Sequence, residues 1–363
     1  MTLAVDRNQA AVGGSAPPRS KPIKAWACLG AFFVALEIYI FAAWIISGNA
    51  KRTPTGPTQV PTWMKTVGDI WQAGGIVVCA IFIYFIVVRS WRKVGHITLD
   101  GILVFVFLSL YWQDPLPNYL NNWLTYNPMF VNFGSWASDV PGWVAPRSHL
   151  FPEPILLFGP IYIYTIYGLV VLGNYLMGRA RARWPSLSTF GLVGSTLAFM
   201  IVADIIVETV WMLLGWWAWG GSISWLTINH GHYYQYPIYE GVFWGATWTA
   251  WSCLRYFVDD KGRTVVERGI DDVRVRGWKL TWLRGLALGG ICNVIYLACY
   301  IIPINWFGMH AAAWPADVQS RSYLTDGLCG PGTTYACSSP AIPIPRTGSA
   351  HVAPDGQLVV PRK

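Results

Sequence analysis

STFGLVGSTLAFMIVADIIVETVWMLLG, residues Ser188–Gly215, sets the reading of this chain. The run is longer than the roughly 20 apolar residues a helix needs to cross a bilayer core. Its only ionisable side chains are Asp204 and Glu208. A soluble domain rarely affords so long an apolar stretch, so the run reads as a membrane helix that carries two acids. Six further runs surround it, near Ala25–Ser47, Ile70–Val88, Leu99–Leu120, Ile155–Met177, Pro237–Phe257 and Trp282–Pro303. The expected fold is all-α, a polytopic transmembrane helical bundle of about seven spans.

The whole chain agrees. Of its 363 residues, 54% are hydrophobic and 12% charged, about half the charged share of a soluble domain. Mean hydropathy is +0.38. Disordered chains, coiled coils and ordinary soluble enzymes are excluded. The net charge of +8 falls between apolar runs and not in one basic stripe, so it reads as a topology signal and not as a nucleic-acid footprint. With the amino terminus inside, 18 Lys and Arg flank the inner ends and 8 the outer ones. The orientation expected is N-inside, C-outside, for a multi-pass protein of the cell membrane. Residues 1–24 then form a cytoplasmic segment with no signal-peptide core. Residues 25–303 form the transmembrane helical domain, and residues 304–363 a loosely ordered non-cytoplasmic tail. Cys329 and Cys337 lie together in that tail, where an oxidising exterior permits a disulfide.

A charged group at bilayer depth is costly unless paired, neutralised or wetted, so each acid in a span is a functional candidate. Asp204 and Glu208 are four apart and share one helix face. Two like charges so close cannot both ionise cheaply, which makes the pair a general acid beside a carboxylate. No Lys or Arg lies deep in a span to neutralise them. Asp114 stands in Gln113-Asp114-Pro115-Leu116-Pro117-Asn118-Tyr119, where a proline pair breaks the third span. The backbone groups freed there need protein or water partners, which marks a cavity. Asp204, Glu208 and Asp114 are therefore the catalytic candidates. Glu37, Asn118, Tyr119, Glu153, His230, His232 and Glu240 are candidates for lining or orienting a substrate, and Asn293 reads as interhelical glue. Asn229-His230-Gly231-His232 with Glu240 superficially suggests metal ligands, but six histidines in all are too few for a histidine-rich di-iron site. No metal and no cofactor is expected. The chain carries no P-loop, dinucleotide-binding glycine pattern or GxSxG elbow.

The stretches Ala11–Ile23, Ile97-Thr98-Leu99-Asp100-Gly101, Gln113-Asp114-Pro115 with Asn118-Tyr119, the Asn127–Trp143 segment, and Ala180-Arg181-Ala182-Arg183-Trp184-Pro185 before Ser188-Thr189-Phe190-Gly191 carry a likeness. Together they resemble the AveC-like spirocyclase family. The likeness runs from about Ala11 to Pro303 and does not reach Cys329 and Cys337. It implies an integral membrane enzyme of polyketide tailoring that closes a spiroketal from a dihydroxy-ketone. It carries over no catalytic residues and no particular substrate. The chemistry suits the acids: it needs proton transfers and no redox step. The expected partners are a lipophilic small-molecule substrate and membrane lipid, with no nucleic acid. The competing reading is a lipid or small-molecule binding protein or transporter that uses the same acids as a proton relay.

Overall fold

The computed structural model describes residues 22–342 and 344–361. The amino-terminal segment expected to be cytoplasmic lies almost wholly outside the described residues, as does most of the Ala11–Ile23 motif. Among the described residues, seven long helical rods make up the body: α1 (Pro22–Ile46), α2 (Thr62–Val94), α3 (Leu99–Asn118), α4 (Ile155–Arg183), α5 (Thr189–Leu213), α6 (Ile238–Tyr256) and α7 (Trp278–Gly308). All but α6 are long and apolar enough to cross a membrane. The protein is thus an all-α polytopic bundle. α6 is more polar because its buried face carries Glu240, Thr247, Thr249 and Ser252. It packs against α5 and α4.

Local chemistry explains the boundaries. Ser188 caps α5 by accepting a hydrogen bond from the Gly191 amide, and Thr98 caps α3 through Gly101. α3 is regular only to Ser109 and then tightens into 3₁₀ turns, Leu110–Gln113 and Leu116–Asn118, around Pro115 and Pro117. This end of α3 is largely buried in protein, as a broken membrane helix requires. α7 contains a π-helical stretch, Leu297–Ile301, just before Pro303, whose ring nitrogen offers no N–H. At one end of the bundle Arg255 forms a bidentate pair with Asp100 (Nε–Oδ1 2.7 Å, Nη2–Oδ2 3.0 Å) and donates to Asn174. That contact ties α6, α3 and α4 together.

A lid covers the other end. Strand β1 (Leu124–Tyr126) pairs antiparallel with β2 (Trp217–Trp219), Tyr126 opposite Trp217. A short hairpin of β3 (Thr227–Ile228) and β4 (Tyr236–Pro237) leads into α6. The tail departs from the loose order expected after Pro303. α7 continues to Gly308, and two short helices, α8 (Ala316–Gln319) and α9 (Ser322–Thr325), pack on the lid. Trp314, Val318, Tyr323 and Leu324 are buried there, and Cys329 and Cys337 form a disulfide. The Asp326 carboxylate accepts a hydrogen bond from the Thr125 hydroxyl of β1. The packed stretches are too short to show a period in sequence, which is why they read as loose.

Candidate active site

Five buried acids from four parts of the chain meet beneath the lid: Asp114, Glu153, Asp204, Glu208 and Glu240. They form two groups around a cavity of about 50 Å³. On one side, carboxylate oxygens of Asp204, Glu208 and Glu240 all lie within 4.8 Å of one another. The i, i+4 spacing in α5 puts Asp204 and Glu208 on one face, and Gly241 and Gly245 let α6 approach closely enough for Glu240 to join them. A Cβ added at Gly241 would lie 3.2 Å from Asp204 Oδ2, and one at Gly245 3.0 Å from the Ile201 amide nitrogen. The Tyr236 hydroxyl lies 2.5 Å from Asp204 Oδ2 and 3.0 Å from Glu240 Oε2, and Tyr300 donates to Glu240 Oε1 at 3.1 Å. A phenol has one hydrogen, so a proton on one of the two carboxyls completes the second Tyr236 contact.

Across the cavity, Asp114 accepts hydrogen bonds from Tyr126 (2.7 Å) and Tyr162 (2.9 Å), and Tyr162 in turn bonds Tyr296 at 2.8 Å. Two phenolic donors on one carboxyl is the pattern of a carboxylate. Glu153 adjoins Asp114 just before α4 begins. Burial, and then the negative charge of Asp114, push Glu153 well above the usual carboxylate range. Burial and the same two acids raise the Tyr126 phenol, and burial with Glu240 and Asp204 raises Tyr236, so both remain hydrogen donors.

Asp114, Glu208 and Glu240 line the cavity itself, together with Tyr296 and Tyr300. Asp204 and Glu153 are not among its lining side chains and sit behind the acids that are. The wall is aromatic: Trp211, Trp217, Trp219, Trp244 and Trp248. The indole N–H groups of Trp219 and Trp248 are buried without a hydrogen-bond partner among the described residues, while Glu240 hydrogen-bonds the carboxyls of both Asp204 and Glu208. Unpaired buried donors are costly, and here the two indoles border a space that fits a water or the oxygen end of a larger molecule. No lining side chain of the cavity is basic. Arg255 and Arg284 are engaged elsewhere, with Asp100 and Glu267.

Other candidates lie apart from the acids. Asn118 holds the loop: its Oδ1 accepts from the Trp123 and Leu124 amides, and its Nδ2 donates to the Leu124 carbonyl. The Tyr119 hydroxyl donates to the Pro141 carbonyl, and its ring packs on Trp143. His230 and His232 are exposed on the β3–β4 hairpin, His232 stacked on Tyr234. The hairpin turns these histidines outward, and Tyr236 is the residue it delivers to the acids. Glu37 lines a different cavity, described below. Asn293 is interhelical glue, accepting from Gln113 Nε2 at 2.7 Å and Trp112 Nε1 at 3.0 Å. Sequence reasoning missed the tyrosine partners Tyr126, Tyr162, Tyr296 and Tyr300. The available signal was helical spacing, since Tyr296 and Tyr300 stand four apart on the helix that carries Asn293.

Together the bundle and the chamber define a polytopic helical membrane protein with a buried cluster of acids inside aromatic walls. The chain belongs to the Spirocyclase AveC-like family, whose profile matches residues 91–324. The match starts after the amino-terminal motif and most of α2, and it extends into the tail, so it is displaced from the Ala11–Pro303 likeness read in the sequence. It contains all five acids of the chamber. No curated protein and no solved structure matches this chain.

Proposed function

We propose that this protein is a membrane-embedded cyclase or dehydratase of the spirocyclase type, acting on a lipophilic hydroxy-ketone by carboxyl acid–base catalysis. In this reading α6 is a seventh crossing, the amino terminus is cytoplasmic, and the chamber lies toward the far leaflet of the cell membrane. The observation that carries the proposal is that Glu208, Glu240 and Asp114 line one small aromatic-walled cavity, with Asp204 and Glu153 adjoining them.

The chemistry balances without a redox partner. A substrate hydroxyl adds to the ketone carbon, its proton passes to a carboxylate, and the ketone oxygen takes a proton from a carboxyl, giving a hemiketal. A carboxyl then protonates the hemiketal hydroxyl, the carbon–oxygen bond breaks, and water leaves behind an oxocarbenium ion. A second hydroxyl adds to that carbon and returns its proton to a carboxylate. The net change is loss of one water, with every acid restored. Glu208 and Glu240 suit the proton donor. Asp114, held by two phenols, suits the carboxylate that steadies the cation. Asp204 and Glu153 position the acids in front of them. Tryptophan walls exclude bulk water that would capture the cation.

The test is metabolite profiling of a deletion strain complemented with variants. Deletion is expected to accumulate a linear compound heavier than the product by one water. Wild type restores the product, while Glu208→Gln and Glu240→Gln lower turnover about 10²-fold or more. Asp204→Asn acts through its neighbours and costs less. Full turnover by both Glu208→Gln and Glu240→Gln would overturn the assignment. Proton-coupled uptake into liposomes with no chemical change would favour the transporter reading instead.

A further inference from the structure

The acid chamber, at about 50 Å³, cannot hold a lipophilic polyketide-sized molecule. A second cavity of about 890 Å³ lies beside it, between α1, the end of α2, α3 and α7. Its walls are mostly apolar. The two cavities meet at one partition. Asn293 lines the large cavity, and its Oδ1 accepts from Gln113, the residue preceding Asp114. Tyr296, three residues along α7 from Asn293, lines the acid chamber.

Gln113 lines neither cavity; it is wholly buried and its Oε1 has no hydrogen-bond partner among the described residues. Glu37 faces the large cavity and makes no hydrogen bond or ion pair among the described residues. Space is kept open by glycine. A Cβ at Gly289 would meet nothing within 4 Å, and one at Gly285 only Ile102 Cγ2 at 3.7 Å. The α1 wall lies outside the residues matched by the family profile.

We infer that the cavity between α1, α3 and α7 binds the apolar, hydroxyl-bearing body of the substrate, with Glu37 accepting from a hydroxyl and the Gln113–Asn293 partition passing the oxygenated end to the acids. The volume suits a small lipophile, and Glu37, an acceptor in the wall without a donor, selects a hydroxylated guest over a plain hydrocarbon. The inference rests on the cyclase reading for the identity of the guest but not for its binding.

The test is photolabelling of the full chain in lipid nanodiscs, using a diazirine-bearing hexadecanol and the matching diazirine hexadecane. The alcohol is expected to label peptides around Glu37 and Asn293, and unlabelled hexadecanol displaces it. Gly289→Phe, whose Cβ would meet nothing within 4 Å and whose ring occupies the cavity, lowers this labelling about tenfold. Glu37→Gln weakens alcohol labelling and leaves alkane labelling unchanged. Gly74→Phe, on the exposed face of α2, changes neither. Thermal melting checks folding, and Gly285→Phe serves as the second filling variant if Gly289→Phe fails to fold. Equal labelling by alcohol and alkane over all lipid-facing helices, indifferent to both filling variants, would mean ordinary bilayer lipid and overturn the inference. Specific labelling with an active Glu208→Gln and Glu240→Gln would sink the cyclase reading alone.

Discussion

Glu153 shows how a single residue answers to its surroundings. It is wholly buried, with Asp114 beside it and a long contact from the Ser135 hydroxyl at 3.5 Å. Its folded-state pKa is raised, so the native protein binds more protons here than the unfolded chain does. Stability is then unaffected below the unfolded carboxyl value and falls as pH rises from that value toward the folded one. Glu153→Gln keeps the shape and removes the titration. Melting temperatures between about pH 5 and pH 9 should therefore decline less steeply for Glu153→Gln than for wild type. An unchanged slope would show that Glu153 is already ionised in the native state. The residue was visible in sequence as an acid at the start of a span. Its partner Asp114 was visible at a helix break. That the two adjoin was not, because their separation along the chain gives no hint of a shared site.

At the scale of elements, the crossing of α1 over α7 limits everything that lies between them. A Cβ at Gly30 would stand 1.8 Å from the Leu286 carbonyl oxygen, and one at Gly290 would stand 2.4 Å from that of Trp26. The backbones touch, as small-residue crossings allow in membranes. Gly30→Leu forces the pair apart and should destabilise the protein by about 3 kcal/mol or more. The measurement is a thermal melt in detergent beside Gly289→Ala, which points into open space and should stay within about 0.5 kcal/mol of wild type. Of the seven apolar runs read in the sequence, six form helices long and apolar enough to cross a membrane, since hydropathy reports the solvent each helix prefers. Which helix lies against which was not legible, because apolar faces look alike to lipid and to protein.

The whole molecule is closed by its lid. β1 and β2 bring Tyr126, Trp217 and Trp219 over the acids, and the disulfide-linked tail holds β1 through Asp326 and Thr125. Burial raises the Asp326 carboxyl above its ordinary range, while the Thr125 hydroxyl acts in the opposite direction. Thr125→Val removes that donor and leaves a buried carboxyl unpaired, at a cost of about 1–3 kcal/mol. Hydrogen exchange followed by mass spectrometry should then speed up in Leu124–Tyr126 and Trp217–Trp219 and stay constant in α4. Exchange that rose evenly across the protein would indicate general destabilisation and not a lid released from its tail.

The amino-acid sequence alone determined that this is a helical membrane protein and that acids without counter-cations lie within its spans. Both follow from the free energy of moving side chains out of water, a property each segment carries by itself. It also carried the family likeness. Only the tertiary structure decided that Glu240 joins Asp204 and Glu208, that Asp114 faces them with Glu153 behind, and that His230, His232, Asn118 and Tyr119 stand aside. Those outcomes depend on helix contacts and on a lid built from distant loops, and such long-range packing leaves no periodic mark in any one segment.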